Sequence, residues 1–306
     1  MPGQQITIPA RLADTVQAWE GEAGRAWLAT LPELVATHLD RWGLTLERIG
    51  DPGGQISLIC HVHRDTDLSP AVLKAGLVTG ETVNEHAALQ HWAGRGAVLL
   101  LDADPATGVL LLERLHGDIP LRSLAEDKAM LEAASLLRRL WVPPADGHPF
   151  QAVPDRVAGM SAHLREHRAL PGAEDVLPLV DEALETAAGL AASEPEQFLL
   201  HGDFHHGNVL AADRAPWLAI DPKPLVGERA YDLAWLVQDR MDTLVGSPGP
   251  RAAARRRLGR LSEAVGVDRD RLRGWTLFRT VAAGLWSLSV GDGDAAELYL
   301  EFAAGL

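Results

Sequence analysis

From about Pro9 to Trp42 the apolar residues Trp19, Trp27, Leu28, Leu31, Leu34, Val35 and Leu39 recur at helical intervals, punctuated by Gly21, Gly24 and Pro32. That pattern predicts a pair of packing helices. The period then changes. Short strands are predicted over Leu44–Ile49, Ile56–His63 and Pro70–Leu73, with the turn Asp51-Pro52-Gly53-Gly54-Gln55 between the first two. Thr79–Trp92 reads as a helix, with Val83, Ala87, Leu89 and Trp92 as its apolar points. Two further strands, Ala97–Asp102 and Gly108–Glu113, are joined by a turn at Asp104–Gly108. Val109 to Leu112 are apolar without alternation, which predicts burial on both faces. Arg114–Ile119, containing Gly117, is a connector. Beyond it the chain reads as almost all helix: Leu121–Leu140, Pro154–His167, Ala173–Ala192, Arg229–Asp242, 251–265, Arg269–Val290 and Gly293–Ala304, with loops at Val142–Pro149 and Gly246–Pro250. The expected fold class is α+β, with a small antiparallel-sheet lobe (residues 1–113), a hinge (114–119) and a larger helical lobe (120–306).

Length and composition bound the function. A chain of 306 residues can bury a sizeable core in one or two closely joined domains. The formal net charge of −14 argues against nucleic acid or an anionic membrane as the main partner and is compatible with a small cationic molecule. The basic run Arg251, Arg255, Arg256, Arg257 and Arg260 is expected to be a solvated helix face. Cys60 is the only cysteine, so no intrachain disulfide can form, which fits a reducing compartment. No signal peptide or apolar stretch of membrane-spanning length is visible, and a cytoplasmic location is expected.

The candidate chemistry is concentrated in Leu200–Asp221, LHGDFHHGNVLAADRAPWLAID. A carboxylate at Asp203 is followed by an amide at Asn208 and, after the apolar run Trp217–Ile220, by a second carboxylate at Asp221. Kinases space an Asp and an Asn in the same way in H-R-D-x-x-x-x-N, ahead of D-F-G. Asp203 suits the orientation of an attacking hydroxyl and acceptance of its proton, and Asn208 and Asp221 are hard oxygen ligands suited to Mg²⁺ on nucleotide phosphates. Upstream, Ala71-Val72-Leu73-Lys74 ends a strand with a lysine placed, after the Gly53-Gly54 turn, where a kinase puts its phosphate-contacting lysine. Glu81 and Glu85 share one helix face within reach of Lys74, and Glu85 is preferred because it adjoins the apolar stripe. The turn from Gly53 and Gly54 to Ser57 would bring backbone near phosphates. Main-chain groups at Glu113 and Leu115, beside the connector, would pair with a nucleotide base. No G-x-x-x-x-G-K-[ST] and no G-x-G-x-x-G occurs, which excludes an ordinary P-loop and removes most of the case for a dinucleotide fold.

HGDFHHGN with a downstream IDPK resembles the aminoglycoside phosphotransferase family. The string WLAIDPKPLVGERAYDLAW, with AVLKAG and LLLERL upstream, is similar to its streptomycin 6-phosphotransferase and hydroxyurea phosphotransferase branch, over roughly Trp19 to Trp286. The resemblance implies a protein-kinase-like fold and an ATP- and Mg²⁺-dependent transfer to an aminoglycoside hydroxyl that gives antibiotic resistance. It implies Asp203 as catalytic base, Asn208 and Asp221 as metal ligands, and Lys74 with Glu85 at the phosphates. Asp232 and His201 would be structural supports of the catalytic loop.

Rival readings differ in what they ask of the same residues. His201 and His205 stand four apart near His206 and would suit a zinc hydrolase if they lay on a helix, but Gly202 and Gly207 oppose one and no H-E-x-x-H occurs. A non-catalytic nucleotide-binding protein on this scaffold is a second rival. A kinase for another small molecule, such as hydroxyurea, an amino alcohol or a sugar metabolite, is a third. A cationic acceptor calls for carboxylates and aromatic faces, for which Glu228, Trp235, Asp239 and Trp275, with Asp242 and Trp286, are candidates.

Overall fold

The computed structural model describes residues 6–51, 53–170, 173–193, 195–246 and 248–306. Pro52 of the predicted glycine turn and Ser247 of the predicted 246–250 loop lie outside the described residues. The chain divides into two compact units, Met1–Gly117 with Ala212–Pro216, and Asp118–Ala211 with Trp217–Leu306.

In the first unit, helix α1 (Ala10–Trp42) leads to strands β1 (Leu44–Ile49), β2 (Ser57–Arg64) and β3 (Pro70–Gly76), helix α2 (Glu85–Trp92), and strands β4 (Leu100–Asp104) and β5 (Val109–Glu113). The strands form one antiparallel sheet in the order β1-β2-β3-β5-β4. Helix α1 is bent at Gly21, whose φ of 55° and ψ of −123° leave helical space, so the expected helix pair is present as two arms of one element. Leu12, Val16, Leu28, Leu31 and Val35 of α1 pack with Leu58, Cys60, Val62, Ala71, Leu73, Ala75, Val109 and Leu111 of the sheet in one buried cluster. Strand side chains alternate between faces, so Ala71, Leu73 and Ala75 meeting α1 puts Lys74 on the opposite face. Val109 to Leu112 are buried throughout, as their uniform apolarity predicts.

Helix α2 starts at Glu85 rather than Thr79. The Thr82 hydroxyl donates to the Leu77 carbonyl at 2.7 Å, and Thr79 Oγ1 accepts from the Glu81 amide at 3.2 Å. Threonine side chains thus satisfy backbone groups that a helix would otherwise pair, and hold 79–84 as turns.

In the second unit β6 (His116–Pro120), whose residues from Asp118 on belong to it, replaces the expected irregular connector. A short 3₁₀ turn and then α3 (Glu126–Leu140) follow, and the remaining elements are β7 (Gln151–Ala152), α4 (Val153–Glu166), α5 (Leu177–Ala192), β8 (Phe198–Leu200), β9 (Val209–Ala211), β10 (Trp217–Ala219), β11 (Leu225–Gly227), α6 (Arg229–Gln238), α7 (Met241–Val245), α8 (Pro250–Val265), α9 (Arg269–Ser289) and α10 (Gly293–Ala304). Two small sheets, ordered β10-β9-β6 and β7-β11-β8, carry the loops of interest. The core is built around α9, whose Leu272, Trp275, Leu277, Phe278, Val281 and Leu285 are all buried, and which packs on α5, α6 and α10.

Two expectations fail here. The predicted helix over Arg229–Asp242 breaks after Gln238, and Arg240 takes a left-handed φ of 55°. The break releases Asp239 to reach the loop described below, while the Arg240 guanidinium donates to the carbonyls of Arg122 and Leu124. Arg257 is not part of a solvated face. It is buried, donates to the carbonyls of Val237 (3.2 Å) and Asp239 (2.6 Å), and pairs with Glu126. Among the described residues no helix is long and apolar enough to cross a membrane.

The bend in α1 depends on close packing at Gly24, where a Cβ would stand 2.6 Å from the Val16 carbonyl oxygen. Gly189, exposed on α5, has nothing within 4 Å of the same added atom. Gly24→Ala should therefore destabilise the chain by about 1–3 kcal/mol, whereas Gly189→Ala should stabilise it by about 0.5–1 kcal/mol. Urea unfolding of the two variants checks this, and equal shifts would refute it.

Candidate active site

Strand β8 is pinned by antiparallel pairing of Leu200 with Leu225 on β11. It delivers the chain into a loop, His201–His205, followed by a 3₁₀ turn at His206–Asn208 and the hairpin β9–β10. The loop is held mainly by its backbone. The buried Asp232 carboxylate, on α6, accepts from the amides of His201 (3.0 Å) and Gly202 (2.8 Å) and from the Trp141 indole (2.9 Å). The Gly202 carbonyl accepts from the Trp235 indole at 2.9 Å and from Arg279 at 3.0 Å. The Arg279 guanidinium also lies 4.4 Å and 4.6 Å from the ring centroids of Tyr231 and Trp235. Gly202 itself has a φ of 79°, and a Cβ there would lie 1.9 Å from the Lys223 carbonyl oxygen, so only glycine fits.

His201 is fully buried and serves the loop. Its Nε2 lies 3.0 Å from the Ile220 carbonyl and its Nδ1 accepts from the Asp203 amide at 3.3 Å, which fixes the proton on Nε2. Burial lowers its pKa, in keeping with a neutral ring. The His206 amide donates to Asp239 at 2.7 Å, and His206 Nδ1 shares the same carboxylate oxygen. Burial opposes the charge of Asp239, but the hydrogen bonds and charge of His206 hold its carboxyl well below the ordinary aspartate value. His205 Nδ1 accepts from the Gly207 amide at 3.1 Å. These histidines are committed to loop hydrogen bonds, and among the described residues they form no ligand cluster. The zinc-hydrolase reading therefore has no support here.

Asp203 is 9% exposed. Its burial disfavours ionisation, but Lys223, at 3.1 Å, with His205 and His201, brings its pKa below the ordinary value, against an opposing contribution from Asp221. It is a carboxylate at neutral pH, able to accept a hydrogen bond or a proton. The Asn208 side-chain amide donates to the Asp203 carbonyl at 3.0 Å, which leaves its oxygen out of that bond. The Ile220 amide donates to the Asn208 carbonyl at 2.9 Å, which ties the residue before Asp221 to Asn208. Asp221 has a φ of 60°, a strained setting for a residue with a side chain and worth about 1–3 kcal/mol. An amide oxygen and a carboxylate so placed are a hard-oxygen donor set, which fits Mg²⁺ rather than a softer ion.

In the first unit Lys74 Nζ donates to both oxygens of Glu85, at 2.6 and 2.7 Å, and both residues are buried. Glu85 is the first residue of α2, where the helix N-terminus also favours its charge. Gly53 has a φ of 69°, and Gly54 packs tightly on Ser57 at the start of β2. The Glu113 side chain is already engaged: its oxygens accept from Arg214 at 2.9 Å and from the Leu99 amide at 2.7 Å. The Leu115 carbonyl accepts from the Gly117 amide at 3.1 Å.

The acceptor candidates divide. Trp235 and Asp239 belong to the loop's supports. Glu228 and Trp275 are corrected. Glu228 is 2% exposed, and its oxygens are taken by Arg271 (2.5 and 2.6 Å) and by the Trp275 indole (2.6 Å), so the pair forms an internal brace and is not available to a substrate. The sequence reading also missed residues. Lys223, the last residue of IDPK, meets Asp203, and Arg279 meets the loop from α9; neither was given a role there. Tyr299, on α10, has its phenol pKa raised by burial and by the charges of Asp239 and Asp203, which places it in their field. A tyrosine in an otherwise ordinary amphipathic helix gave no signal.

A small antiparallel sheet with a buried Lys–Glu pair, and a helical unit with a clamped Asp…Asn loop, define a phosphotransferase of the protein-kinase-like fold. The aminoglycoside phosphotransferase APH(4)-Ia, solved with ADP and hygromycin B, shares that fold at a TM-score of 0.59 and 17% identity over 88% of this chain and 96% of its own. Residues 41–291 match the family model for aminoglycoside/hydroxyurea antibiotic resistance kinases. The streptomycin 6-kinase of Streptomyces glaucescens is 40% identical, over 95% of this chain and 93% of that protein. The hydroxyurea phosphotransferase of Kitasatospora aureofaciens is 38% identical, over 95% and 83%. The chain belongs to the aminoglycoside/hydroxyurea antibiotic resistance kinase family and is a kinase that phosphorylates a hydroxyl group.

The Asp239–His206 contact makes a prediction about pH. Asp239 has a lowered folded-state pKa, so its contribution to stability is complete above the unfolded value near 3.8 and is lost as pH falls through the folded value. Asp239→Asn should be less stable than the parent at neutral pH by about 1–3 kcal/mol, with the gap narrowing below pH 3.8. Denaturant unfolding across pH checks it, and a gap independent of pH would contradict it.

Proposed function

We propose that this chain transfers the γ-phosphoryl group of ATP to a hydroxyl of a streptomycin-type aminoglycoside and so confers resistance. The observation that carries the reading is the loop at Asp203: a buried carboxylate that is ionised at neutral pH, with the Asn208 amide tied to its carbonyl and Asp221 alongside. Phosphoryl transfer through a loose transition state asks the protein to align the acceptor and neutralise charge rather than to deprotonate the hydroxyl in advance. Asp203 orients the acceptor hydroxyl and takes its proton. Asn208 and Asp221 would hold Mg²⁺, which would neutralise charge on the phosphates. Lys74, kept in place by Glu85, contacts the nucleotide phosphates, and the turn from Gly53 and Gly54 to Ser57 approaches them. The base pairs with main-chain groups at Glu113 and Leu115, since the Glu113 side chain is committed to Arg214. His201 and Asp232 keep the loop in shape.

The identity to a streptomycin 6-kinase over nearly the whole of both chains supports the choice of acceptor. Hydroxyurea is the second reading, and the similar identity to a hydroxyurea phosphotransferase favours it over an amino alcohol or a sugar metabolite. The acidic net charge of −14 suits a cationic acceptor. The lone cysteine, Cys60, is buried with its thiol pushed up to about 12, in keeping with a protein of the reducing cytoplasm.

Asp203→Ala should lower kcat by about 10²–10⁴-fold or more while leaving the Kd for ATP within about threefold of the parent. Retained turnover would remove Asp203 as the base. ATP consumption measured with streptomycin, other aminoglycosides, hydroxyurea and common amino alcohols tests the acceptor. The expected result is a Mg²⁺-dependent signal with streptomycin. Turnover with hydroxyurea alone would move the assignment to the second reading.

A further inference from the structure

Helix α4 takes no part in the loop chemistry, yet it carries a second group of chemically capable side chains. His163, Glu166 and His167 each offer one ligand atom, and these atoms all lie within 4.8 Å of one another. Their spacing of three and four residues puts them on one face of the helical turn. The two imidazoles are stacked at an angle, with centroids 3.8 Å apart and planes 38° apart.

The protonation pattern is set by the backbone. His167 Nδ1 lies 2.8 Å from the His163 carbonyl, which can only accept, so Nδ1 carries the proton and Nε2 keeps its lone pair. A ring whose far nitrogen is anchored on a carbonyl is the arrangement that orients a histidine ligand toward a metal. On the other ring, His163 Nε2 is buried and has no hydrogen-bond partner. A buried polar atom left unsatisfied calls for an explanation, and a coordinated ion supplies one. Glu166 is exposed and adds an anionic oxygen at the water-facing edge.

We propose that His163, Glu166 and His167 form a Zn²⁺ site on the surface of the helical unit, with water completing the coordination. Two imidazole nitrogens and one carboxylate oxygen suit a borderline ion such as Zn²⁺, unlike the all-oxygen pair of Asn208 and Asp221. The 4.8 Å spread exceeds a closed tetrahedral site, so side-chain rotation draws the ligands in when the ion binds. Because α4 ends at Glu166 and His167 opens a 3₁₀ turn through Ala169, the ion staples the helix end to the turn after it. Its role is structural rather than catalytic.

The test is equilibrium dialysis of nucleotide-free protein against Zn²⁺ alone, with bound metal quantified. One ion per chain is expected. His163→Ala and His167→Ala should each weaken binding about tenfold or more, while Asp221→Asn should leave it unchanged. No binding at about 100 μM Zn²⁺, binding that survives both histidine substitutions, or binding lost in Asp221→Asn would each overturn the site. The unsubstituted chain gives an independent readout should a variant fold poorly. Zn²⁺ should slow carbethoxylation of His167, read by mass spectrometry, and leave His61 on strand β2 unaffected. Equal rates at His167 with and without Zn²⁺ would count against the proposal.

Discussion

The carboxylate of Asp232 is the contact on which the shape of the His201–His205 loop rests. It is fully buried and accepts from the amides of His201 and Gly202 and from the Trp141 indole. Each hydrogen bond to a charged group is worth about 1.5–3 kcal/mol, and each donor would otherwise be an unsatisfied group in the interior. Asp232 therefore fixes the exit of β8, the start of the loop and the end of α3 relative to one another. The position of Asp203 follows, since the residue before it cannot move without breaking those bonds.

Other buried charges in this unit act in the same manner. Glu228 joins α9 to the start of α6 through Arg271 and Trp275. Arg257 ties α8 to the break after α6 and to Glu126 at the start of α3. Arg279 spans from α9 to the Gly202 carbonyl. Such pairs add little net stability over apolar packing, because each ion must be taken out of water. What they impose is geometry, since only one arrangement of the helices satisfies every partner.

Much of this was legible in the sequence, for physical reasons that differ between residues. The two-part α+β layout follows from a change of hydrophobic period, and the sheet strands fell within a few residues of prediction. The pairing of Lys74 with Glu85 was readable because Lys74 ends a strand and Glu85 adjoins the apolar stripe of the helix after it, although the segment between them is turns rather than helix. The Asp203-to-Asn208 interval was readable because it lies within one loop. The burial of Glu228 and Trp275 was not, because an acid and an indole in a helix look alike whether they face water or each other. The break at Asp239 was hidden for a related reason: the stretch favours helix locally, and only a distant partner, His206, pulls the carboxylate away. Contacts to main-chain atoms, such as those of Arg279 and Arg257, leave no trace in residue identity at the receiving end.

Asp232 grips the loop through amides that every residue type possesses, and the tight approach at Gly202 is a demand on backbone space alone. The shape of the loop is thus encoded separately from the side chains it carries at Asp203 and Asn208. A descendant of this chain could exchange Asp203 for another side chain and still keep the outline of the loop. Change one residue earlier is constrained, since a side chain at position 202 would cost the loop itself.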